Sequence, residues 1–105
     1  MAFVTIDDAV QTTERWRFGL DFVDRMPAGI IIASLVSVTV YNQAGENVTD
    51  TIMLSNSEQI DEGDTAASAE FYNFVDGQTY KATFVVTLSN GQTREGDLQI
   101  PCKNT

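Results

Sequence analysis

Between Thr79 and Ile100 apolar and polar residues alternate in two runs that flank the turn pair Asn90-Gly91. A period of two places every second side chain on one face of a strand, and Asn-Gly between two such runs marks a β-hairpin. In the first arm Tyr80, Ala82, Phe84, Val86 and Leu88 share the face expected to meet the core, and Lys81, Thr83, Val85 and Thr87 share the other. In the second arm Gly96, Leu98 and Ile100 alternate with Glu95, Asp97 and Gln99, and Pro101 is expected to end the ladder. Earlier, Trp16, Phe18, Leu20 and Phe22 alternate with Arg15, Arg17, Gly19 and Asp21, a strand with one wet face and with Trp16 expected inside. Ile30 to Tyr41 is apolar and β-branched, a second long strand with Val36, Val38 and Val40 on one side and a bend near Ala33-Ser34.

Gln43 to Asn47 reads as a turn, Thr51 to Leu54 as a short strand, and Ser55 to Thr65 as a polar loop. Ala67, Ala69 and Phe71 alternate with Ser68, Glu70 and Tyr72 to give another strand before the turn at Asp76-Gly77. Short strands separated by regular turns, with no convincing helix, predict an all-β, immunoglobulin-like β-sandwich of about 6–8 strands with Greek-key connections. Tyr80 sits where such sandwiches often tie a tyrosine hydroxyl to an adjoining loop; the alternative is a rim tyrosine of the core. Residues 14–105 form the predicted sandwich domain, and residues 1–13 are either an N-terminal arm or its first strand.

The chain has 105 residues, 43% hydrophobic and 20% charged, which suits one folded domain and argues against disorder. It carries 15 acidic against 6 basic side chains, a net charge of -9, and that field repels nucleic acid phosphates and anionic lipid heads. No direct nucleic acid partner and no membrane partner are therefore expected. The six basic residues are Arg15, Arg17, Arg25, Lys81, Arg94 and Lys103, so residues 26–80 hold none. The same stretch holds Glu46, Asp50, Glu58, Asp61, Glu62, Asp64, Glu70 and Asp76. An acidic surface is expected there, which either steers the domain to a basic partner patch or serves solubility. The N-terminal residues show no secretory signal pattern, and the apolar run from Ala28 to Ala33 is too short to cross a membrane. Synthesis in the cytoplasm is expected.

Histidine, the commonest group for proton transfer near neutral pH, is absent, and so are the nucleophile pairs built on it. Asp61, Glu62 and Asp64 around Gly63 are the densest carboxylates, but no aromatic platform stands beside them for glycoside chemistry. They match no EF-hand spacing and read as a solvated loop. Cys102 is the single thiol, so an internal disulfide is excluded; it reads as a small residue near a strand end. Asn47-Val48-Thr49 fits a glycosylation sequon by chance in a chain without a secretory signal. No enzyme activity, cofactor or metal is expected.

Three elements in order carry a resemblance: Phe18-Gly19-Leu20-Asp21-Phe22-Val23-Asp24-Arg25-Met26, then Gly29-Ile30-Ile31-Ile32-Ala33-Ser34, then Gly77-Gln78-Thr79-Tyr80 leading through Ser89-Asn90-Gly91-Gln92 to Glu95. From about Glu14 to Ile100 the chain resembles small bacteriophage virion proteins described as fibre-tail adaptors. It departs from them in having Phe22 where a tryptophan is frequent and Ile30 where a polar residue often follows the glycine. The resemblance implies a structural virion protein that joins tail or neck to fibres, present in several copies, with tail, neck, fibre or capsid proteins as partners. It implies a location in the virion after assembly in the host cytoplasm. A capsid decoration or cement protein is the close alternative, and a cellular carbohydrate-binding or adhesin module the distant one. The candidate interaction residues are Phe3, Val4, Ile6 and Val10 of the N-terminal segment, as a docking arm, and Glu58, Asp61, Glu62 and Asp64 of the acidic loop. The segment's other reading is a strand of the sandwich itself.

Overall fold

In the computed structural model, residues 9–22, 26–61 and 63–104 are described in full and residues 2–5 as backbone. The chain runs β1 (Ala2–Thr5), β2 (Trp16–Asp21), β3 (Ile32–Tyr41), α1 (Thr49–Ile52), β4 (Gln59–Ile60), β5 (Ala66–Phe71), β6 (Thr79–Leu88) and β7 (Thr93–Pro101). These strands form an all-β sandwich of a four-stranded sheet, ordered β1-β7-β6-β3, and a three-stranded sheet, ordered β2-β5-β4. The chain passes between the sheets four times, after β1, β2, β3 and β5, and β2 pairs with β5 while β3 pairs with β6.

The hairpin expected from alternation forms β6 and β7, antiparallel from Thr79↔Pro101 to Thr87↔Thr93. Its loop is Ser89–Gln92, where Gly91 takes a φ of 88°, a conformation glycine adopts without strain. Tyr80, Ala82, Phe84, Val86 and Leu88 all face the core, as do Leu98 and Ile100 of β7. Opposite them Leu20, Ala67, Ala69 and Phe71 line the other sheet, and Phe22, Ile52 and Phe74 close the space between. Pro101 is the last residue of β7 and of its register with β6, as expected. Its carbonyl accepts from the Val10 N–H at 2.9 Å, so its missing N–H would have pointed to the N-terminal side. The next residue, Cys102, still donates to the Gln78 carbonyl on the β6 side, at 2.8 Å.

Strand β3 departs from the simple alternation. Its register against β6 shifts between Ile32 and Ser34 and again between Leu35 and Ser37. The first shift is the bend expected near Ala33-Ser34. The second inserts an extra residue and inverts the phase, so Val36 is 58% exposed although Val38 and Val40 are buried. The expected strand from Thr51 to Leu54 is replaced by the single helical turn α1. Asn47 Oδ1 accepts from both the N–H and the Oγ1 of Thr49, at 3.1 and 2.7 Å, and this local pairing turns the chain before it can extend. Within the expected loop Ser55–Thr65, Gln59 and Ile60 pair with Ser68 and Ala67 as the short strand β4.

In β2, position 19 tolerates only glycine at this strand spacing. A Cβ there would collide with the Ala67 carbonyl oxygen and lie 2.7 Å from Ser68 Cβ in the paired strand β5. Backbone is what must yield, so Gly19→Ala should lower stability by about 1–3 kcal/mol, read as a lower urea midpoint with unchanged slope. An unshifted midpoint would mean that β2 and β5 sit farther apart.

Candidate interaction surfaces

The N-terminal segment belongs to the sandwich. β1 runs parallel to β7, pairing Phe3 with Asp97 and Val4 with Leu98. Farther along, Val10 bridges Cys102, donates to the Pro101 carbonyl and accepts from the Lys103 N–H at 3.0 Å. Val10, expected on a docking arm, is 2% exposed and forms part of the core. Its apolar side chain is satisfied inside the fold, which removes the reason for it to seek a neighbour. Ile6 lies outside the described residues, as does Glu62.

Within the acidic loop, Asp61 is committed to its own hairpin. The Asp61 N–H donates to the Ala66 carbonyl at 2.8 Å, and Asp61 Oδ1 accepts from Ser68 Oγ at 2.8 Å and from Gln59 Nε2 at 3.0 Å. Arg17 Nη1 donates in turn to Ser68 Oγ at 3.0 Å and to the Ser57 carbonyl at 3.2 Å, tying β2 to this network across β5. Asp61 therefore positions strands, where it was expected to face a partner. Glu58 is half-buried, and Asp64 is exposed at the turn, with its carbonyl accepting from the Ile32 N–H at 2.8 Å.

The fold also divides the acidic side chains. Asp64 stands beside Ile32, at the start of β3, whereas Glu46 follows Tyr41, at its end. A ten-residue strand spans about 33 Å, several Debye lengths at physiological salt. Two acidic poles replace the single patch expected from the sequence. Among the described residues no group of three Asp, Glu, His or Cys side chains is placed to hold a metal ion, and no helix is long and apolar enough to cross a membrane.

Two exposed apolar features escape the alternation rule. Trp16 is 45% exposed, not inside: its cross-strand partner Phe71 is fully buried, but β2 is the border strand of the three-stranded sheet and Trp16 its first residue. Its ring stacks on Phe18 at 5.8 Å between centroids, Phe18 stacks on Phe71 at 6.4 Å, and its Nε1 donates to Glu14 Oε1 at 3.1 Å. That hydrogen bond, with one from the Gln11 N–H, holds the Glu14 carboxyl below its usual range. The second feature is the edge strand β3, where Val36 is exposed beside Ala33, Ser34 and Ser37 with no charged side chain along the strand. A place at the end of a border strand decided the first and a bulge the second, and neither is visible in a period of two.

Tyr80 meets both of its readings. The ring is 2% exposed, and its hydroxyl accepts from the Val75 N–H at 2.9 Å, tying β6 to the preceding turn. Burial raises its pKa against the opposing pull of that N–H, and burial followed by the carboxylate of Asp76 raises that of the Cys102 thiol. In both groups the neutral form is the one the fold favours. The unfolded chain ionises first, near about 8.5 for a thiol and about 10 for a phenol, so stability should be constant below these values and fall as pH rises through them. Tyr80→Phe should cost about 1 kcal/mol at neutral pH and flatten the alkaline decline. Urea midpoints at neutral and alkaline pH test this, and an identical decline in both proteins would remove Tyr80 as its cause.

No known protein family matches the chain, and no curated protein matches it. The resemblance to fibre-tail adaptors therefore rests on the quoted residues alone.

Proposed function

We propose that this chain is a non-enzymatic structural protein of a bacteriophage virion, an immunoglobulin-like adaptor that joins tail or neck to fibres through protein contacts. The observation that supports it best is edge strand β3. It combines an exposed Val36, neighbouring small residues and an absence of charge in a chain of net charge -9. Natural sheets commonly guard such borders with lysine, proline, a bulge or a covering loop; β3 has its bulges, and Asp64 and the segment 47–49 cover its two ends, which leaves the middle around Val36 open. A partner strand from a neighbouring virion protein is the natural cover for it. The exposed acids at the two poles, Asp64 at one and Glu46 and Asp50 at the other, steer the approach to a basic surface.

A map of the intact particle tests the location. Density for the sandwich between tail or neck and fibres is the expected result, and density at the capsid lattice points would replace the adaptor by a decoration protein. Association of the purified chain with fibreless particles should slow as salt is raised, because screening removes the steering. A rate independent of salt would exclude the acidic poles from recognition, and a normal rate for Val36→Lys would exclude the β3 edge.

A further inference from the structure

On the outer face of the four-stranded sheet, the register places Tyr41 beside Lys81 and Lys81 beside Gln99. Because β3, β6 and β7 are neighbours, these three side chains form one row across the sheet, at the end where β3 passes into the turn 42–46. That turn is fastened by two amide contacts. The Gln43 N–H donates to Gln78 Oε1 at 3.3 Å, and Gln43 Oε1 accepts from the Thr79 N–H at 3.1 Å. Row and turn enclose an open cleft of about 460 Å³, lined by Tyr41, Gln43, Thr79, Lys81 and Gln99 among others. Small-ligand sites fall at roughly 300–1,000 Å³.

Lys81 is the only cation between Met26 and Thr93. Its ammonium lies 5.3 Å from the centre of the Tyr41 ring, and among the described residues no carboxylate pairs with it. The nearby acids are engaged elsewhere, Asp97 Oδ1 with Thr83 Oγ1 at 2.8 Å and Glu46 Oε1 with Asn42 Nδ2 at 2.9 Å. The cation–π contact thus holds a charge in place at a concave, hydrogen-bonding surface without neutralising it. We propose that this cleft binds a saccharide that carries a carboxylate, with the carboxylate on the Lys81 ammonium and ring hydroxyls on Tyr41, Thr79 and the Gln43 amide.

The lining favours a saccharide over a peptide. The floor is formed by β6 and β7, which have neighbours on both sides, so their backbone groups are used within the sheet and offer no edge for a peptide to extend. Apart from one aromatic ring the walls are amide, hydroxyl and amine, the groups that answer hydroxyls and a carboxylate. This site is independent of the adaptor reading and of the β3 edge.

The test is a titration of the isotope-labelled full chain with trigalacturonate, followed by amide chemical shifts, beside the same trisaccharide with its carboxyls reduced to alcohols. Saturable shifts confined to residues 41–45, 79–81 and 99 are expected, with at least about tenfold weaker binding of the reduced sugar and a similar loss in Lys81→Gln. Lys81 is exposed, so that variant should keep the fold, which its own spectrum reports. Absence of saturable shifts at these amides, equal affinity for the reduced sugar, or unchanged affinity in Lys81→Gln would overturn the proposal. An oligoglutamate peptide that shifted the same amides with equal affinity would overturn it in favour of a peptide site.

Discussion

Phe84→Ala should lower the stability of the sandwich by about 3–5 kcal/mol, a large share of the 5–15 kcal/mol that holds a domain of this size folded. Phe84 is fully buried at the middle of β6, between β3 and β7, with Val38 and Gly96 as its cross-strand partners. Glycine at position 96 leaves no side chain directly opposite the ring on that strand, so little can collapse into the space the ring leaves. The loss is therefore the transfer energy of the ring plus a cavity term, and the upper half of the range is expected. Denaturant unfolding measures it directly. An unchanged midpoint would put Phe84 on the wet face and invert the whole assignment of β6 and β7. Val85→Ala, on the opposite face and half-buried, is the internal control and should cost much less.

How far the sequence predicts such outcomes depends on what each local pattern requires. β6 and β7 are long, their alternation is unbroken, and the turn between them has glycine where positive φ is needed, so local rules suffice. β3 is equally apolar, yet its two register shifts depend on how it lies against β6, and a pattern read along one strand cannot contain them. The alternation therefore puts Val36 with Val38 and Val40, whereas it faces out. Trp16 departs for a different reason: the alternation is correct, since Phe18 and Leu20 follow it toward the core, but at the end of a border strand its ring stays open to solvent even though its partner Phe71 is buried. The turn α1 reflects a side-chain pairing of Asn47 and Thr49 that outweighs the β tendency of Ile52 and Leu54.

The interaction surfaces were less legible still. Charge counting located the acids along the chain but not in space, and the three-dimensional course of β3 separates them into two poles. Asp61 shows why a carboxylate-rich segment is a weak guide, because its oxygen is occupied by Ser68 and Gln59 in holding β4 against β5. The Tyr41–Lys81 cleft could not be found from spacing, since its members come from three strands and a turn. Only the pairing register brings them into a row.

Deleting residues 1–10 should destabilise the domain strongly, where an arm free of the sandwich would have left it intact. The deletion removes β1, which covers the outer border of β7 from Gly96 to Gln99, and it removes Val10, which is buried. Burying one valine is worth about 1.5–3 kcal/mol. The bonds from Val10 to the Pro101 carbonyl and from Lys103 to the Val10 carbonyl add about 1 kcal/mol each, and the β1 ladder adds further bonds of the same kind. The sum is about 4 kcal/mol or more, comparable with the whole stability of a marginal domain. Cys102 supplies an independent readout. It is 3% exposed and bridged by Val10, so its thiol should resist an added disulfide reagent in the full chain and react readily in the truncated one. Retention of the full urea midpoint together with a protected thiol would show that the segment is dispensable to the fold. If instead both change, failure of the truncated chain to enter particles reports unfolding, and a docking role for Phe3 or Val4 has to be tested by point substitutions in a chain that keeps β1.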